Sequence, residues 1–240
     1  MSKRRLVLVL VAAAVAALAG STVAEAGNGL AKQRKKHNFS EQFFPLDCRF
    51  QDEGANTFFI LDPGYQLVLE GDGEQVTITV LDQTELVDGV VTRVLEERET
   101  ADGELAEVSR NYVAICEQTG DVYYFGEDVD NYEDGQVANH DGSWRAGEGE
   151  NAAGVLMPGN PLLGARYYQE LAPDIALDRA ENLAVLDSFD VPAGEFETVL
   201  WVLETTPLEK KDKSVKYYAA GIGLIKDDDM ELVRYGYVDR

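Results

Sequence analysis

Carboxylates are the only reactive side chain this sequence offers in quantity: Asp and Glu number 44, against 21 Lys and Arg and two His, for a net charge of -23. The densest run holds Glu127, Asp128, Asp130, Glu133 and Asp134, with Asn131 as a neutral oxygen donor. A hard cation such as calcium gathers roughly six to eight oxygen ligands from flexible loops of this kind. Asp128, Asp130 and Asp134 are therefore the candidate metal ligands. The EF-hand order is not met, because Tyr132 would stand at its third position between Asp130 and Asp134. A solvated acidic turn is the competing reading.

Other chemistry finds fewer residues. His37 lies in a basic stretch, and His140 sits in the turn-like Asn139-His140-Asp141-Gly142. A transition-metal site normally needs three or four ligands, so His140 with Asp141 reads as a surface turn. The sequence has no Gly-x-Ser-x-Gly elbow, no His-Glu-x-x-His, no phosphate loop and no Gly-x-Gly-x-x-Gly. A Ser-His-Asp triad would have to rest on His140 alone. A glycosidase needs only two acids at a suitable separation, which a sequence rich in acids does not reveal. No catalytic residue is singled out, and the expectation leans away from an enzyme. The acidic balance also disfavours nucleic acid and anionic membrane surfaces as partners.

Aromatic residues come in neighbouring sets: Tyr123-Tyr124-Phe125, Tyr167-Tyr168 and Tyr217-Tyr218. On strands, adjacent side chains point to opposite faces, so one ring of each set should face inward. In a closed core these rings are packing. In a curved sheet they would line an apolar pocket with hydroxyls at its rim, suited to a lipid or another amphiphile. Tyr123, Phe125, Tyr167, Tyr217 and Trp144 are the candidate ligand-binding residues.

The elements that would position them read as strands. Gln75 to Leu81 alternates with β-branched residues, Asp88-Gly89 supplies a two-residue turn, and Val90 to Leu95 resumes the strand. Asp102-Gly103 repeats the signal before Glu104 to Glu117, and Thr119-Gly120-Asp121 turns the chain into Val122 to Phe125. The segment from Gly126 to Gly164 is rich in Gly, Asp, Glu and Asn and reads as long loops with short strands. Order resumes in further strands from Ala165 to Val238, broken at Pro192-Ala193-Gly194 and at Ala220-Gly221-Ile222-Gly223, with one helical turn near Pro173 to Asp178. A meander of this many strands must curl or close to hide its apolar face. The expected fold is mainly β: an antiparallel meander curled into a half-barrel or barrel, lipocalin-like in outline, with few short helices.

The N-terminal residues lead to the expectation that this fold is exported. Lys3, Arg4 and Arg5 precede an apolar run from Leu6 to Ala19, the pattern of a secretory signal peptide. That run is shorter than the roughly 20 residues a membrane-spanning helix needs. Cleavage after Ala26 is favoured over cleavage after Ala19, and Ser21 stands where a lipoprotein would need Cys. The expected organisation is a signal peptide over 1–26, a flexible tail over 27–43 that contains the basic run Lys32 to Lys36, and one β-rich domain over 44–240. The product is expected to be periplasmic or extracellular, with no stable membrane insertion after cleavage. In such an oxidising compartment Cys48 and Cys116 are expected to join, the alternative being two buried thiols.

Val191-Pro192-Ala193-Gly194-Glu195-Phe196, followed by Lys216-Tyr217-Tyr218-Ala219-Ala220-Gly221-Ile222-Gly223-Leu224-Ile225-Lys226, resembles the vPaGtF…YYApGvGlVk pattern of uncharacterised secreted bacterial proteins. Ala220 departs from it where the pattern has Pro. The pattern is similar in outline to the LolA-like lipoprotein-carrier superfamily, whose curved antiparallel sheet holds acyl chains on its concave face. That resemblance implies a fold more strongly than a function. The leading expectation is a secreted or periplasmic non-enzymatic protein that binds a lipid or other small apolar ligand, without a cofactor unless calcium binds. A calcium-binding structural or adhesive protein and a carboxylate-dependent hydrolase are the alternatives.

Overall fold

The computed structural model describes residues 38–43 and 48–238. The expected signal peptide, Lys32 to Lys36, His37 and most of the tail lie outside the described residues. Eighteen strands and no helix occur among those described. In chain order they are β1 (Phe50–Gln51), β2 (Ala55–Asn56), β3 (Phe59–Ile60), β4 (Tyr65–Gly71), β5 (Glu74–Val87) and β6 (Val90–Ala101). Next come β7 (Glu104–Cys116), β8 (Val122–Glu133), β9 (Gln136–Asn139), β10 (Trp144–Arg145), β11 (Ala152–Met157) and β12 (Arg166–Tyr168). The last are β13 (Glu170–Leu171), β14 (Arg179–Val191), β15 (Gly194–Thr205), β16 (Lys213–Ala219), β17 (Gly223–Asp227) and β18 (Met230–Tyr237).

One antiparallel path of 13 strands runs β12-β14-β15-β16-β17-β18-β4-β5-β6-β7-β8-β11-β13. Its two ends, β12 and β13, are separated in sequence by Gln169 alone, so the sheet curls until it nearly closes into a barrel. Gly154 of β11 makes that seam tight: a Cβ there would lie 2.3 Å from the Gln169 carbonyl oxygen. Only glycine permits that approach.

The meander follows from local chemistry. Asp88-Gly89 and Asp102-Gly103 take positive φ at both residues, 47° and 77° in the first and 53° and 82° in the second. This is the type I′ geometry whose twist matches the flanking strands. Pro192 and Ala193 make the two-residue link between Val191 and Gly194. The expected helical turn near Pro173 is instead a non-helical turn closed by the bridge between Ala172 and Ala176.

Directly opposed residues fix which side chains share the interior. Leu67 opposes Ile78, Ile78 opposes Glu97, Glu97 opposes Ser109 and Ser109 opposes Val129. The alternate set on the same strands, including Thr77, Thr79, Glu96, Arg98, Arg110 and Asp128, faces outward.

One end of the barrel is capped. The β2–β3 hairpin buries Phe58 and is held to the β16–β17 turn by the Gly221 amide, which donates to the Thr57 carbonyl at 2.8 Å. The chain leading into this cap is fastened by the Cys48–Cys116 disulfide, whose Cα atoms lie 5.4 Å apart. Phe50 then packs edge-on against Tyr123 and Phe125.

The region expected as loop from Gly126 onward is corrected at its start. β8 continues from Val122 to Glu133, so most of the acidic run lies on a strand. β7 supplies a long paired edge, and Gly126 lets the chain of β10 approach so closely that a Cβ would meet the Trp144 carbonyl oxygen at 2.3 Å.

Candidate binding cavity and its acidic interior

Between the cap and the middle of the barrel lies a cavity of about 80 Å3. A single water needs roughly 10–15 Å3 on the same measure, so there is space for a small molecule. Its walls are the inward rows of β4 (Tyr65, Leu67, Leu69) and β5 (Val76, Ile78, Val80), closed above by Phe59 and Ile60 of the cap. Strand alternation explains the apolar wall, because every second residue from Tyr65 to Leu69 and from Val76 to Val80 is apolar.

One step deeper the lining changes character. Glu97, Gln169, Glu204, Lys216 and Asp227 all reach the cavity and all are buried. Lys216 Nζ lies 2.9 Å from Glu204 and 3.4 Å from Asp227. Gln169 Nε2 donates to Glu204 Oε1 at 2.7 Å, and Ser214 Oγ donates to Asp227 at 2.7 Å. Burial would discharge Lys216, but the two carboxylates outweigh it and hold the ammonium pKa well above its ordinary value. Asp227 is still pushed up by burial, with Lys216 opposing and Glu204 adding to the rise.

Glu97 has no such counter-ion contact. Its Oε2 is buried without a hydrogen bond, as is Oε1 of Gln169. Burial first, and then Asp227 and Glu204 against the opposing Lys216, raise the Glu97 carboxyl to about 7. Further along the interior, burial raises Glu107 to about 8, with Glu97 adding to the effect. Glu127 and Glu170 are pushed well above the usual carboxylate range, by burial before all else, then for Glu127 by Glu170 and for Glu170 by Asp178. The barrel thus encloses a band of acids in which several hold protons near neutrality.

The aromatic residues divide by strand parity. Tyr167 and Trp144 lie in the interior, Tyr167 donating to Asn182 at 3.2 Å and Trp144 packing edge-on against Tyr124. Tyr123 and Phe125 are buried on the other face of β8, beneath Phe50. Tyr217 also faces outward, stacked between Phe189 and Trp201. The inward members of those two sets are Tyr124, which donates to Asn111, and Tyr218, which lines the cavity.

The acidic run offers its carboxylates elsewhere. Asp128 accepts from Tyr112 and Arg145, each at 2.7 Å. Asp130 pairs with Arg110 at 3.1 Å and contacts His140 at 2.9 Å, while Asp134 forms the β8–β9 turn with Gly135. Among the described residues no three His, Cys, Asp or Glu side chains gather as metal ligands.

Sequence reasoning missed Glu97, Gln169, Glu204, Lys216 and Asp227. The available signal was a lone Lys in the apolar-polar alternation of Val215 to Ala219. No protein-family model matches the chain, and no curated protein or solved structure matches it. The likeness to the LolA-like outline therefore extends to the curved, nearly closed antiparallel sheet and no further.

Proposed function

We propose that this is an exported, non-enzymatic binding protein that holds a small apolar or amphiphilic molecule inside the barrel. The observation that carries the reading is the cavity under the cap, apolar on β4 and β5 and polar at its floor. Ligand pockets combine mostly apolar walls with a few convergent polar groups in this way. The Cys48–Cys116 disulfide fits an oxidising compartment, in keeping with export.

A hydrolase reading would have to rest on acids other than Glu204 and Asp227, which spend their oxygens on Lys216, Gln169 and Ser214. A calcium-binding reading would have to draw Asp128 and Asp130 away from arginine partners.

Native mass spectrometry of protein isolated from its own compartment tests the proposal. A bound small amphiphile is the expected result, together with shifts of the Leu67, Leu69 and Ile78 methyl resonances when 1-hexanol is added to stripped protein. Ligand-free spectra in every preparation and unmoved methyl resonances would remove the proposal.

A further inference from the structure

The polar floor of the cavity is one-sided in its hydrogen bonding, and that selects the head group of whatever fills it. The inference rests on the binding function proposed above. Among the described residues, two buried side-chain atoms on this wall lack partners, Glu97 Oε2 and Gln169 Oε1, and both are acceptors when Glu97 is ionised. Glu97 is 8% exposed and Gln169 2%. Three of the donors nearby are committed: Gln169 Nε2 to Glu204, Ser214 Oγ to Asp227, and Lys216 Nζ between Glu204 and Asp227. Three carboxyl groups therefore line a cavity whose one ammonium is paired with two of them, Glu204 and Asp227.

An unpaired buried acceptor costs free energy that a donor would recover. A neutral donor would satisfy Gln169; a cationic donor would in addition offset the excess acid around Glu97. We propose that the cavity is an amine site, in which the chain of a short aliphatic amine lies along β4 and β5 and its ammonium donates to Glu97 and Gln169. A carboxylate or phosphate head group would instead meet Glu97, Glu204 and Asp227 with like charge.

Binding should be linked to proton release. The charged and titratable groups that act electrostatically with Glu97 are Glu99 on its own strand, Glu107 on β7, Tyr124 and Glu127 on β8, Glu204 on β15, Lys216 on β16 and Asp227 on β17. Burial and that company keep Glu97 partly protonated near neutrality, and an ammonium beside it would favour the ionised form. Affinity for the amine should therefore rise from pH 6 to pH 8.

The test titrates the full chain with hexylamine, 1-hexanol, hexanoate and methylamine by isothermal calorimetry, with core methyl resonances followed in parallel. Hexylamine should bind at least tenfold more tightly than 1-hexanol, hexanoate should bind more weakly than either, and methylamine should leave the cavity methyl groups unmoved. Glu97→Gln should abolish the preference for amine over alcohol while alcohol binding persists, which certifies the fold of the variant. Proton release, read as a dependence of the binding heat on the buffer's ionisation enthalpy, should vanish with it. If hexylamine and 1-hexanol bind equally, or hexanoate binds best, the amine site is refuted while the apolar-binding function stands. If none of the four shifts a cavity resonance, the binding function itself fails.

Discussion

Lys216 is the point at which this barrel is energetically most vulnerable, because it is 5% accessible and is the counter-ion of two buried carboxylates. Lys216→Met keeps the length of the side chain and deletes the charge. At the observed separations of 2.9 and 3.4 Å, each pair is worth about 5 kcal/mol at an effective dielectric near 20 before desolvation is counted. Removing the ammonium recovers its own desolvation, so the net loss should be about 3–5 kcal/mol, the range for breaking a buried ion pair from one side. The loss should also depend on pH. At pH 8 the abandoned carboxylates must stay charged in the interior or take up protons, whereas at pH 5 protonation is easy. Each extra proton bound by the folded state adds a slope of about 1.4 kcal/mol per pH unit, so the variant should be about 2 kcal/mol or more closer to the parent at pH 5 than at pH 8. Urea denaturation followed by the fluorescence of Trp144 and Trp201 gives both numbers from midpoint shifts at constant slope. A loss under about 1 kcal/mol at pH 8, or an equal loss at both pH values, would overturn the account of Glu204 and Asp227 as buried carboxylates held by the Lys216 ammonium.

The parent protein should show a related pH dependence. Glu97 and Glu107 are raised from 4.5 to about 7 and about 8, so the folded state holds protons that the unfolded chain releases. Their contribution is full below about pH 4.5 and declines as pH rises through 8; calorimetric melting should be higher at pH 5.5 than at pH 8.5, and a flat or rising profile would contradict this. Glu107→Gln should therefore raise stability at pH 9 by at most a few kcal/mol and change little at pH 4, since displacing a carboxyl's titration by one pH unit corresponds to about 1.4 kcal/mol; denaturant midpoints at the two pH values check it. Replacing Cys48 and Cys116 together by Ser opens a loop spanning 68 positions, for which chain entropy predicts a loss of about 4 kcal/mol; an unchanged denaturation midpoint would show that the cap segment is held by packing alone. Gly154→Ala should push β11 from Gln169 at the seam, where the added Cβ would sit 2.3 Å from a carbonyl oxygen, and faster amide exchange confined to β11–β13 would report it.

The strands and their turns were legible because their signals are local. Asp-Gly pairs at 88–89 and 102–103 adopt the positive φ values that make them turns, and the alternation in Gln75 to Leu81 reads directly as one face in and one face out. Cys48 and Cys116 were legible as a pair because no third cysteine competes. Alternation alone did not say which member of an aromatic pair faces inward. Register shifts such as the one between Asn111 and Val113 in the β7–β8 ladder reset the parity, so Tyr124 rather than Tyr123 enters the interior.

The acidic interior was not legible for a different reason. Glu96-Glu97-Arg98-Glu99 has the composition of a solvated strand, and the expectation that the acid belongs to loops and solvent fails at Glu97, Glu107, Glu127 and Glu204. Burial of a carboxylate is decided by what lies across the barrel, and the partners of this cluster come from β6, β15, β16 and β17. Charge, periodicity and turn chemistry are properties of neighbouring residues, so the chain alone specifies an acidic, exported-looking run of antiparallel strands. Lys216 and Asp227 are direct cross-strand partners and Glu204 stands on the next strand, so that ion pair needs only the β15–β16–β17 pairing, whereas Glu97 of β6 and Gln169 at the seam reach the same cavity only when the sheet curls and its edges meet.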